Sequence, residues 1–125
     1  MRSFTVTLIV AAGLFQAGTT IAAADWAIAV GQNGGARYAY GTAYNYTSSR
    51  EARSAALSNC RSEGRNCQVV ADGAGSCVAV AFSTVNNGYG WSSGDDKREA
   101  SHGAMQKCHE FADSECEIRA TFCDE

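Results

Sequence analysis

Apolar and polar positions change period several times along this chain. Residues 4–15 form an almost unbroken apolar run. Beyond residue 25 the apolar residues come in short runs bounded by glycine and asparagine, as strands do. In two stretches small apolar residues recur every four positions, as in helices. Residues 26–30 read as a strand ending at Gly31. Asn33-Gly34-Gly35 follows, and these residues tolerate positive φ, so the pattern predicts a hairpin turn and a second strand over 37–44, with Gly41 marking a bulge. Ser48 with Glu51 three positions later predicts a reciprocally capped helix start. Ala52, Ala56 and Cys60, with Leu57 beside them, give this helix a narrow stripe of small side chains, and Gly64 caps its end. Further strands are predicted over 67–71 and 77–83, about a turn at Asp72-Gly73-Ala74-Gly75. Residues 84–94 are the most polar stretch, and Tyr89 and Trp91 within it fit either a short irregular strand or a loop. A second helix opens at Asp96, and 116–123 reads as a closing strand.

A shift of 48 residues lays Ser48 on Asp96, Glu51 on Glu99, Ala52 on Ala100, Ala56 on Ala104, Leu57 on Met105 and Cys60 on Cys108. With one more residue, Cys67 falls on Cys116 and Val69 on Ile118. The alternative is chance similarity between two alanine-rich helices. A repeat accounts for more, because one unit of this length cannot bury its own apolar face. The expected fold is therefore α+β: two pseudo-repeated strand-strand-helix-strand units, about 25–71 and 77–123. Their five or six strands would form a mainly antiparallel sheet with both helices packed on one face.

The apolar run changes the picture of the compartment. Arg2, then the run, then Ala22-Ala23-Ala24 before Asp25 has the order of a secretory signal, so residues 1–24 are expected to be cleaved and 25–125 to remain as one domain. An uncleaved anchor is the alternative, but the run is interrupted at Gln16 and short of the roughly 20 residues that span a bilayer. No membrane insertion is expected after cleavage. All six cysteines lie beyond the signal, which in an exported domain of this size points to three disulfides among fifteen formal pairings. Strand alternation narrows them. Cys77 and Cys123 both point away from the richer apolar faces of their strands, whereas Cys60 and Cys108 on the helices point at the sheet, where Cys67 and Cys116 sit beside Val69 and Ile118. The expected pairs are Cys60–Cys67, Cys108–Cys116 and Cys77–Cys123. Zinc is the rival use of these cysteines, but no Cys-x2-Cys pair exists.

The formal charge is −3, one unit more negative once Arg2 is removed. No basic stripe remains for a polyphosphate, so nucleic acid is not an expected partner; Arg50, Arg53, Arg61 and Arg65 are interleaved with Glu51 and Glu63 and read as a solvated helix face. His102 and His109 share the second helix, with Glu99, Glu110 and Asp113 nearby, but seven residues of helix separate the histidines by about 10 Å, too far for one metal. No metal or other cofactor is expected. A G-x-S-x-G elbow is absent, Gly73-Ala74-Gly75-Ser76 lacks the lysine of a phosphate loop, and Asn45-Tyr46-Thr47 formally matches a glycosylation acceptor. The richer candidate is a recognition surface. Tyr38, Tyr40 and Tyr44 fit one strand face, and Tyr89 and Trp91 come from the corresponding place in the second repeat. Such rings suit a protein or glycan partner; equally, they would simply cover a sheet face that the helices leave bare.

Trp26-Ala27-Ile28-Ala29, the stripe from Ala52 to Leu57 with Cys60, Cys67-Gln68-Val69-Val70, Cys77-Val78-Ala79-Val80-Ala81, and Cys108, Cys116 and Cys123 together resemble the bacterial family catalogued as domain of unknown function 4189. The resemblance implies a small secreted or periplasmic disulfide-bearing α+β domain and carries over no catalytic residues. The expected function is a non-catalytic exported binding or interaction domain, inhibitor-like or immunity-like. The alternatives are a small enzyme with acid-base chemistry around Glu99 and His102, and a structural component of the envelope.

Overall fold

The computed structural model describes residues 24–34, 38–86, 88–112 and 115–124. The expected export signal up to Ala23, Gly35 of the first turn and Asp113 lie outside them. The elements are β1 (Asp25–Gln32), β2 (Tyr38–Tyr46), α1 (Ser49–Glu63), β3 (Arg65–Ala74), β4 (Cys77–Ser83), β5 (Tyr89–Gly94), α2 (Lys97–Ala112) and β6 (Cys116–Cys123). This is an α+β fold of two strand-strand-helix-strand units. The strands differ from expectation in their grouping: they form two three-stranded antiparallel sheets, β2-β1-β3 and β5-β4-β6, rather than one.

The central strands explain the split. In β1, Trp26, Ile28 and Val30 alternate with Ala27 and Ala29, and all five are buried; in β4, Val78, Val80 and Phe82 alternate likewise with Ala79 and Ala81. A strand buried on both faces needs cover on both. The bulky faces meet each other: Trp26, Ile28, Val30 and Ala71 of the first sheet pack with Val78, Val80, Phe82 and Phe122 of the second. The small faces meet the helices. Ala27, Ala29, Ala39 and Ala43 lie against Ala52, Ala56 and Cys60 of α1, and Cys77, Ala79 and Ala81 lie against Ala100, Ala104 and Cys108 of α2. The helices therefore sit on opposite outer faces, one per sheet, and not on one common face. A single open sheet with both helices on one side would have left every bulky side chain in water.

Local differences follow from the same pairing. β3 runs on through Ala74 because β1 pairs with it as far as Asp25, opposite Ala74, so the turn between the units falls at Gly75 and Ser76, both at positive φ. The first two strands shift register near Asn45, also at positive φ, and not at Gly41. Gly41 instead permits a close approach: a Cβ there would overlap the carbonyl oxygen of Ala56 and the amide of Cys60 on α1. Gly90 stands in the same relation to Ala104 and Cys108 of α2. The alternation assumed for β6 is broken, since Val80 faces Ala120 while Ala81 faces Ile118. The extra residue, Arg119, turns Cys116 and Ile118 toward α2 and leaves Ala120 and Phe122 between the sheets. β3 carries the equivalent break at Val70.

Both helix starts are capped in the same way. Glu51 N–H donates to Ser48 Oγ at 3.1 Å and Glu99 N–H to Asp96 Oδ1 at 2.7 Å. All six cysteines are bonded, as Cys60–Cys67, Cys108–Cys116 and Cys77–Cys123. The first two bridges tie each helix end to the strand that follows, and the third joins register partners on β4 and β6.

Candidate functional site

Gly90 sets the geometry of the most developed groove. Because it has no side chain, α2 lies directly on β5, which is an edge strand, and the side chains near the end of α2 overhang that edge. Tyr89 and Trp91 flank Gly90 on the strand and point to the opposite face, between the sheets, where both are half-buried. Lys107 reaches around the edge to place Nζ 5.0 Å from the centroid of the Trp91 ring, within cation–π range. Tyr38 arrives from β2, its ring 5.3 Å from that of Tyr89. Asn86, Glu110 and Phe111 complete an open groove of about 750 Å³.

Two features of this groove lie outside ordinary core packing. Phe111 is 77% exposed, the most exposed large apolar side chain among the described residues. Burial, and secondarily the neighbouring Tyr38, raises the Tyr89 hydroxyl above the ordinary tyrosine range, so it stays a neutral donor.

Of the five rings expected to form a recognition surface, Tyr38, Tyr89 and Trp91 come together at the groove. Tyr40 packs at a tilt against Phe82, ring centroids 5.1 Å apart, donates its hydroxyl to the Arg119 carbonyl at 3.2 Å, and lines a smaller hollow of about 300 Å³ with Asn33, Glu117 and Arg119. Tyr44 lies further along β2, stacked on Phe122 at 4.9 Å and 47% exposed. Lys107, Glu110 and Phe111 escape a reading of strand aromatics alone. Phe111 continues the stripe of Ala100, Ala104 and Cys108 at helical spacing and so reads as core. The clue is in the repeat: the residue 48 positions earlier is Glu63, which a buried position would not accept.

Glu99 and His102 sit elsewhere, over a shallow hollow with Asp96 and Arg98. The Glu99 carboxylate accepts from Asp95 N–H at 3.2 Å and so serves the helix cap, and His102 is exposed. Among the described residues no three His, Cys, Asp or Glu side chains are grouped so as to hold a metal ion, and no helix is long and apolar enough to cross a membrane.

The family described as a domain of unknown function (DUF4189) matches residues 26–123, which takes in every element from β1 to β6. No curated protein and no solved structure matches the chain.

Proposed function

We propose that this chain, which belongs to the DUF4189 family, is an exported domain that binds a protein partner through the groove between β5 and α2, without turning it over. The observation that carries the reading is Phe111, a large apolar ring left bare on a helix whose buried stripe is Ala100, Ala104 and Cys108, beside Trp91 and Lys107 at the lip of an open groove. An apolar, aromatic patch rimmed by single charges has the make-up of interaction sites. Export is supported by the signal-like residues 1–24 and by six cysteines committed to disulfides, which persist in oxidising surroundings such as a bacterial periplasm or the exterior. A compact, stapled scaffold presenting one such patch suits an inhibitor-like or immunity-like role.

The test uses the full chain, produced with its own leader and recovered oxidised. Intact mass should show loss of residues 1–24; a retained leader would refute the assigned cleavage. Envelope proteins are then captured in parallel on wild type and on Phe111→Ser. A partner held by wild type and lost from the variant, with unchanged melting of the two baits, is the expected result. A partner retained equally by both would remove the groove from the interaction.

A further inference from the structure

We infer that this chain exchanges units with a second copy of itself: the second unit of each chain leaves its own first unit and closes on the first unit of the other, giving a two-fold dimer. The surface involved is the bulky layer between the sheets, which in the monomer is covered by the other half of the same chain. What that layer recognises is therefore on view. Trp26 meets Trp91 and Phe122 with ring centroids 5.9 and 6.2 Å apart, and Tyr40 meets Phe82 at 5.1 Å. Tyr40 also donates its hydroxyl to the Arg119 carbonyl, and Asn45 N–H donates to Asp124 Oδ1. Nothing in these contacts requires both sides to belong to one chain.

The units are otherwise self-contained. β2, β1 and β3 pair among themselves, as do β5, β4 and β6, and each helix packs on the sheet of its own unit. Cys60–Cys67 lies within the first unit, and Cys77–Cys123 and Cys108–Cys116 lie within the second. No strand pair or disulfide among the described residues joins the two. A fully oxidised chain can therefore open without breaking a sheet or rearranging a bridge, and the exchanged dimer remakes the same layer between chains.

The junction favours opening. β3 ends at Ala74 and β4 begins at Cys77, so Gly75 and Ser76 alone turn the chain from one sheet to the other. Each is anchored to its own unit: the Gly75 carbonyl accepts from Trp26 Nε1 at 3.1 Å, and the Ser76 carbonyl accepts from Asp124 N–H at 3.0 Å. Both hold positive φ, 65° at the glycine and 74° at the serine. Glycine takes that conformation freely, whereas serine does so with its Cβ crowded against the backbone. Rotation about the Ser76 N–Cα bond into the extended region relieves the crowding, leaves each carbonyl with its own unit, and lets β3 run on toward β4. A short connection under strain invites such an exchange, and concentration decides how far it goes.

The test takes the oxidised protein through partly unfolding urea at high concentration, removes the urea, and separates the species by size with masses from light scattering. Expected is a dimer that non-reducing electrophoresis resolves into single chains. Formed from an equal mixture of carbon-13-labelled and unlabelled protein, it should show isotope-filtered nuclear Overhauser effects between Trp26 and Phe122, which exchange alone places on different chains. Ser76→Pro, whose ring fixes φ at about −65°, cannot make the closed turn and should be dimeric. Ser76→Gly removes the crowding that two serines suffer in two closed monomers and should lower the dimerisation constant about tenfold or more. The inference is overturned if wild type yields no dimer, or if its dimer lacks the Trp26–Phe122 effects and so joins closed monomers side by side. A folded, monomeric Ser76→Pro would overturn it too, as would a Ser76→Gly dimer as tight as wild type. Should Ser76→Pro fail to fold, the labelled wild-type dimer and Ser76→Gly decide.

Discussion

Gly41 and Gly90 occupy equivalent positions on the two edge strands, each beneath the backbone of a helix with no room for a methyl group. Gly90→Ala and Gly41→Ala should each destabilise by about 1–3 kcal/mol, as overpacking usually does, read from urea denaturation. Phe111→Ser, by contrast, should change stability by no more than about 0.5 kcal/mol, because the ring is already in water. Asp124 is a different kind of residue. Burial raises its carboxyl above the ordinary aspartate value, the Asn45 N–H at 2.8 Å opposes this, and Asp25 adds to the rise. One of its oxygens is buried without a partner. The folded form therefore holds this proton to higher pH than the unfolded form does. Its contribution to stability is fully present below the ordinary aspartate value and is lost as pH rises through the raised one. Melting temperature measured across the acid range should show that decline, and Asp124→Asn should flatten it; an unchanged profile would assign the slope to other carboxylates.

At the scale of elements, the two helix starts were readable because capping depends on residues three apart. Ser48→Ala and Asp96→Ala should each destabilise by about 1 kcal/mol in thermal or urea melts. The central strands were readable too, since uninterrupted apolar runs such as Cys77-Val78-Ala79-Val80-Ala81 admit few other structures. What the neighbouring face would be was not. Alternation of bulky and small residues tells which side chains share a face, but not whether that face meets a helix or a second sheet. The breaks at Val70 and Arg119 were hidden for a related reason: a bulge inserts one residue against a partner strand, and the strand's own sequence does not register it. Likewise Tyr38, Tyr89 and Trp91 were visible as candidates, whereas Lys107 and Phe111 join them only because Gly90 draws α2 over the strand edge.

Across the described residues, small side chains, mostly alanine, fill the buried centre of both helix–sheet interfaces, and the buried large apolar side chains lie in the layer between the sheets. A core of that kind leans on its cross-links. Replacing Cys77 and Cys123 together by serine should cost about 4 kcal/mol and either short bridge about 2, measured in denaturant; strong reductant should lower the melting transition or abolish it. The turn that joins the units has a consequence of its own. Gly75 N–H donates to the Ala24 carbonyl at 2.9 Å, and Asp124 N–H donates to the Ser76 carbonyl at 3.0 Å. Both outer ends of the fold thus dock on the two residues at its midpoint. A circularly permuted chain, opened between Gly75 and Ser76 with Asp124 linked back to Ala24, would exchange the order of the halves while keeping every strand pair and every bridge in place.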